Sequence, residues 1–339
     1  MNQEQDWLEM TRELVALGGS VENVRLGQGR FGRGLFPIER SKPVYICIPK
    51  SLLLPTKYVR FIDNEFRVAP EAPIGHRERD FLERYEHDFS WSIGHRETED
   101  LLAMFAGAPT ELREMLENPF GLDDWLVGPT PEAVQERFLA SRAIRQKDDL
   151  LVMPIIELAN HGPGTSYRLY EDRLEIGGSF EDEVFVSYSR SDPLAMFGVW
   201  GFVSDTELFA LSVPLGLERK AGSLHVGRDI EKARNFQIGQ PSAPPEITVE
   251  PGKVTLSHML LGHKNFPRVA RGMFYKVMRQ AGIHDPEETF DLIQHLNRMQ
   301  FYRLMEVSER AAQPLGNLLR TLARLQLECM SHCIGMREV

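Results

Sequence analysis

The chain has 339 residues, 42% of them hydrophobic, enough to bury a substantial core and, on size alone, to form about two domains. Its formal charge of −10 argues against a general nucleic-acid binder, because neutralising phosphates needs clustered Lys and Arg; an acidic surface suits a basic peptide as well as plain solubility. Three cysteines imply no disulfide framework, MNQEQDWLEM lacks an apolar signal core, and no stretch reaches the length of a membrane span, so a soluble, cytoplasmic protein is expected.

In chain order, residues Gln5 to Leu17 read as an amphipathic helix, with Trp7, Leu8, Leu14 and Val15 at helical spacing and Gly18-Gly19 ending it. VENVRL, GLFPI and PVYICIP follow as short β-prone runs broken by Gly and Pro, the pattern of hairpins. From about Phe66 to Ser141 the composition turns helical and charged, as in ETEDLLAMFAG and PTELREMLENP; strands then return in LLVMPII, SYRLYEDRLEIGG and EVFVSYS. After about Leu217 the Pro-rich stretch Gln240 to Pro251 leads, from Lys264, into an almost wholly helical part. Asp285-Pro286-Glu287-Glu288 is a helix start there, since Asp can cap, Pro is pre-set for the first helical position and Glu can return the bond. Leu292, Ile293, Leu296 and Met299 form the apolar stripe of that helix, and Leu315, Leu318, Leu319, Leu322, Cys329 and Cys333 lie on one face of the last. The fold class expected is α+β.

Several motifs have a bland reading beside a chemical one. Gly27-Gln28-Gly29-Arg30-Phe31-Gly32 matches GxGxxG, but a dinucleotide site needs a helix opening at the glycines and an acid about twenty residues on. Here Pro37, Pro43 and VYICIP follow, with no acid from Val44 to Ile62, and no HRD or DFG motif supports a kinase. Cys329, His332 and Cys333 fall short of a four-ligand zinc set, so no metal is expected. Lys264, Arg268, Arg271, Lys276 and Arg279 read as a solvated basic face. Asn160-His161 alone would be a turn after a strand, and Tyr188 a strand aromatic at a sheet edge.

Taken together, GRFGRGLF (Gly29 to Phe36), LASRAI (Leu139 to Ile144), DDLLVMPIIELANHG (Asp148 to Gly162) and VFVSYSRSDPLAMFGVWGFV (Val184 to Val203) resemble, in order and spacing, the SET-domain methyltransferases related to Rubisco large-subunit methyltransferase and the actin-histidine methyltransferase. The resemblance implies a β-rich SET domain over residues 1–225 with a helical insertion at about 66–140. A mainly helical domain over 226–339 would stand where the group holds its substrate-binding domain. It also implies S-adenosyl-L-methionine as cofactor, held by Arg33, Gly34, Arg142, Glu157, Asn160, His161 and Tyr188. Arg33-Gly34 would lie against the methionine end and Arg142 would meet the carboxylate. Asn160 and His161 would serve the adenine and amino-acid parts, and Glu157 stands where relatives hold Asp.

Tyr188 and Trp200 are the implied catalytic pair, Tyr188 aimed at the transferred methyl and Trp200 shaping the channel. The chain departs from the pattern twice. Trp200-Gly201-Phe202 stands for YGF, and indole has a donor but no acceptor oxygen; Asp192 stands for the Asn of SNxxL, adding a charge if buried. The implied activity is N-methylation of a protein side chain, lysine or histidine. The alternatives are a lapsed SET-fold protein that binds a peptide or partner, and a small-molecule methyltransferase. Expected partners are therefore a protein or peptide, or a small molecule, with neither nucleic acid nor membrane.

Overall fold

The computed structural model describes residues 3–219, 222–234, 242–283 and 286–333. The chain opens with α1 (Gln3–Ala16), β1 (Ser20–Glu22), β2 (Val24–Gly29), β3 (Gly32–Pro37), β4 (Val44–Pro49), β5 (Val59–Ile62) and β6 (Glu65–Val68). The helices α2 (His76–Phe89), α3 (Trp91–Ala106), α4 (Thr110–Glu117) and α5 (Pro131–Arg142) follow. Next come β7 (Ala143–Gln146), β8 (Asp149–Val152), β9 (Asn160–Ser166), β10 (Arg168–Leu169), β11 (Arg173–Gly178) and β12 (Phe185–Ser187). Beyond them are α6 (Pro193–Trp200), β13 (Phe209–Leu211), β14 (Leu215–Arg219), β15 (Gly222–Val226), α7 (Ile230–Arg234), β16 (Ile247–Glu250), β17 (Lys253–Leu256) and β18 (Leu260–His263). The chain closes on α8 (Val269–Gln280), α9 (Pro286–Ser308) and α10 (Leu315–Ser331). This is an α+β architecture of several small sheets with a helical C-terminal part. It packs as two compact units, Met1–Leu101 with Pro129–Tyr188, and Leu102–Gly128 with Ser189–Val339.

The first unit is built on an antiparallel sheet in the order β1-β4-β11-β10. Val44, Ile46 and Ile48 alternate along β4 and are buried, with Ile176 opposite Ile46 and Leu174 opposite Ile48. That two-residue period makes one face of the sheet the core. Hairpins β2–β3, β5–β6 and β7–β8 and the parallel pair β9–β12 complete its strands. VENVRL is two strands rather than one, because Asn23 adopts φ +56° between β1 and β2. In α1 the buried stripe is Trp7, Met10 and Leu14; Leu8 and Val15 are 47% and 54% exposed. The spacing i, i+3, i+7 therefore selects Met10 over those two.

In the second unit the strands β14-β15-β17-β16 form one sheet and β13 pairs with β18. These strands were not expected between Leu217 and Lys264. Pro251 is part of a turn, not a breaker: it and Gly252, at φ +72°, join β16 to β17. The expected domain boundary between residues 225 and 226 falls inside β15.

The buried face of α9 is Phe290, Ile293, Phe301, Leu304 and Val307, together with Gln294 and Asn297. Leu292 and Met299, read as stripe residues, are exposed. Gln294 donates to Leu261 O at 3.1 Å and Asn297 accepts from Val213 N at 2.9 Å, so two polar core positions rotate the face away from the apolar stripe. In α10 Leu315, Leu319, Leu322 and Cys329 are buried as expected, and Cys333 lies beyond its end. Asp285, expected as a cap, lies outside the described residues.

Asp192 caps α6 and is buried, its charge fully met: Oδ1 accepts from Ala195 N (2.9 Å) and Arg228 Nη2 (2.6 Å), Oδ2 from Leu211 N (3.0 Å) and Gln326 Nε2 (2.7 Å). No described helix is long and apolar enough to cross a membrane.

Candidate cofactor and active site

The glycine-rich motif is the β2–β3 hairpin, with Arg30-Phe31 as its two-residue loop and Gly27 paired to Gly34. Gly34 is closely faced: a Cβ there would lie 2.5 Å from Glu183 Oε1 and 2.7 Å from Asn160 Nδ2, so a side chain at this position would displace one or both. Both side chains therefore press against bare backbone. Asn160 Nδ2 donates to Arg33 O at 3.2 Å and to Glu183 Oε1 at 2.6 Å, joining β9 to the hairpin and to the segment leading into β12.

The chain reaches Asn160 through buried Ile155, held at φ +65°, a conformation that costs a β-branched residue. It diverts the strand into the short 3-10 turn Ile156–Leu158, which buries Glu157. Parallel pairing of β9 with β12 sets Phe185 opposite Asn160, and a register shift follows before Val186. Tyr188 lands beside His161: its N–H donates to His161 Nδ1 at 3.2 Å and the rings are 5.2 Å apart. Since Nδ1 accepts, a neutral His161 carries its proton on Nε2. The Tyr188 hydroxyl donates to Ala159 O at 2.8 Å. Burial holds the phenol far above its ordinary range, with Arg142 pulling down and Glu157 pushing up, so it is a donor at neutral pH and not a base.

Beside this lies a buried charged cluster. Glu157 accepts from Tyr85 OH at 2.6 Å and from Arg142 Nη1 at 3.4 Å. Arg142 ends α5, stacks over Phe138 at 5.0 Å and approaches Glu97 at 3.5 Å. Gly94 of α3 makes room for it, because a Cβ there would lie 2.7 Å from Arg142 Nη2 and from Phe138. Glu86 is buried nearby; burial and the charge of Glu157 push its carboxyl up to about 8, against the pull of Arg142. Of these two buried carboxyls it is Glu157 that forms the ion pair with the guanidinium.

Arg33, Gly34, Asn160, His161 and Tyr188 come together, and Arg142 with Glu157 sits alongside through the segment 157–161. Arg142 was expected to await a ligand carboxylate; it already holds Glu157, and Nε is its buried atom with no partner. Trp200 is the last residue of α6, in the second unit. Four residues of this region carried no sequence expectation: Tyr85, Glu86, Tyr167 and Glu183. Tyr167 stacks on Tyr188 with ring centroids 6.4 Å apart, and its buried hydroxyl has no partner. Its only signal was a place in a β-prone run, SYRLY.

No family model and no curated protein matches the chain. Among solved structures it is similar to Rubisco LSMT bound to AdoMet, at 12% identity and a TM-score of 0.40, over 98% of this chain and 90% of that one.

Proposed function

We propose that this chain is a SET-type methyltransferase that uses S-adenosyl-L-methionine to methylate a protein side-chain nitrogen. The observation that carries the reading is the meeting of three distant motif segments: Asn160 joins the hairpin at Arg33, and Tyr188 is hydrogen-bonded to both His161 and Ala159. The polar atoms suit such a cofactor. Buried Arg33 Nη1 and Arg142 Nε have no partner and would receive an anionic end, and buried Tyr167 OH has none either. Arg33, Gly34, Arg142, Glu157, Asn160, His161 and Tyr188 would hold it. Bound, the cofactor supplies an electrophilic methyl on a sulfonium.

The protein's own part is alignment and exclusion of water. Tyr188, kept protonated, anchors the turn at Ala159 and orients what lies against its ring. A lysine nucleophile must arrive neutral, which an apolar passage favours by penalising the ammonium; a histidine nitrogen needs less persuasion. For Trp200 the support is the sequence alone, twelve residues after Tyr188. It also sustains the second reading, a SET-fold protein that binds a partner without transferring methyls. Asp192 does not, since its charge is met by Arg228 and three further donors.

The test is calorimetric titration with S-adenosyl-L-methionine, followed by radiolabelled methyl transfer into a lysate and identification of the labelled residue. Micromolar binding with a labelled lysine or histidine is expected. Absence of binding sinks the enzyme reading; transfer by the wild type sinks the non-catalytic one, and label on a small molecule redirects the substrate class.

A further inference from the structure

We propose that Glu86 is the proton-bearing half of a pH-sensitive switch on the cofactor site. While its carboxyl is neutral, the turn Ile156–Leu158 stays docked through Glu157; ionisation of Glu86 loosens the turn, and with it Asn160 and His161. Glu86 is 1% exposed, forms no ion pair among the described residues, and its Oε2 has no hydrogen-bond partner there. A carboxyl buried on those terms is held neutral by desolvation. Tyr85, the preceding residue of α2, donates to Glu157 Oε1 at 2.6 Å, and the other oxygen of Glu157 accepts from Arg142 Nη1 at 3.4 Å. With Glu86 neutral, one guanidinium thus balances one buried carboxylate.

Ionisation sets a second negative charge beside that pair. The cation acting on it is Arg142, and Glu97 of α3, 3.5 Å from Arg142, adds a carboxylate rather than a further cation. On the other elements packed against α2 the charges are spent elsewhere: Glu9 and Glu13 of α1 pair with Arg84, Glu65 and Arg67 of β6 with His87 and Glu83, and Lys50 is exposed. The part able to give is the turn, because buried Ile155 before it holds φ +65° at a cost that the bonds of Glu157 must outweigh. Its displacement reaches the site directly, since Ala159 O accepts from Tyr188 OH at 2.8 Å and Asn160 is the next residue. The proton leaves in an accessible range: burial first and the charge of Glu157 second, against the pull of Arg142, raise the Glu86 carboxyl from 4.5 to about 8. The turn is therefore docked below that pH and loosened above it.

What the switch gates rests on the cofactor reading above; that the turn moves does not, and two measurements keep them apart. The first is hydrogen–deuterium exchange of the ligand-free protein from about pH 6.5 to about pH 9.5, corrected for the intrinsic effect of pH. Residues 155–161 of the wild type should exchange faster above pH 8 than those of Glu86→Gln, with α10 alike in both. The second is calorimetry with S-adenosylhomocysteine over the same range. The wild-type affinity relative to Glu86→Gln, a ratio that cancels titration of the ligand itself, should fall above pH 8 by up to about tenfold per pH unit, the limit for one proton. Parallel exchange in the two proteins overturns the switch and leaves the cofactor reading standing. Diverging exchange with a flat affinity ratio overturns the gating of the site. Diverging exchange with no binding by either protein overturns the cofactor reading and leaves the turn switch intact. Should Glu86→Gln not fold, the wild type decides alone: exchange of 155–161 that does not gain on α10 above pH 8 overturns the switch.

Discussion

Two buried polar regions of this protein differ in how completely their hydrogen bonds are met. Around Asp192, in the second unit, each carboxylate oxygen accepts two donors, and of the groups that reach it only Gln326 keeps a loose end at Oε1. Around Asn160 and Arg142, in the first unit, Arg33 Nη1, Arg142 Nε and Tyr167 OH are buried without partners among the described residues. A saturated network fixes backbone to backbone, here α6 to β13, and leaves nothing over for a ligand. An incomplete one is costly unless something else completes it. On the proposed function, the network around Asp192 serves stability and that around Asn160 and Arg142 serves binding.

Substitutions should separate the two. The largest effect is expected from Asp192→Ala, which strands Arg228 and two backbone N–H groups: a loss of about 3–5 kcal/mol in urea unfolding, with cofactor affinity of the folded fraction unchanged. A near-neutral result would erase the contrast. Tyr188→Phe should lower turnover about a hundredfold, the order seen when one positioned donor is removed from a reacting centre, while the dissociation constant of the cofactor barely moves. Equal losses in both would make Tyr188 a binding residue only.

Asn160→Ala should weaken S-adenosyl-L-methionine by about 1–3 kcal/mol, roughly tenfold to a hundredfold in calorimetry, with a smaller change in unfolding stability. The smallest effect is a slope. Because folding raises the Glu86 carboxyl from its ordinary 4.5 to about 8, the unfolded chain gives up that proton first, and stability falls as pH rises through this window. The slope cannot exceed about 1.4 kcal/mol per pH unit for one proton. Glu86→Gln should flatten it and be relatively more stable near pH 8; an unchanged profile would mean Glu86 ionises in the folded protein.

The first unit was the more legible in sequence. Its hairpins announced themselves through Gly and Pro, and Asn160, His161 and Tyr188 stood in motifs whose spacing implied a meeting. What stayed hidden follows from what periodicity measures. The stripe of α9 was misphased because Gln294 and Asn297 are core residues by hydrogen bonding rather than by apolarity. The strands β14 to β18 were obscured by the Pro-rich stretch, in which Pro251 serves as a turn residue. Glu183 and Tyr167 look like ordinary strand neighbours until distant segments close around them. Asp192 read as a defect because its partners Arg228 and Gln326 lie 36 and 134 residues away.

The order of the central sheet bears on how the chain is made. Strand β4 pairs with β11, Val44 facing Gly178, and the helices α2 to α5 are strung between them. A chain emerging from the ribosome can close the β2–β3 hairpin at once, for its partners are a few residues apart. Strand β4, with Ile46 and Ile48, must wait with one edge open until Gly178 has been synthesised, and β9 waits for β12 in turn. Such non-local pairings are slow and leave apolar edges exposed meanwhile. The region around Asn160 accordingly cannot close before β12 has been made, and a small molecule bound there would act on the newly made protein as a latch.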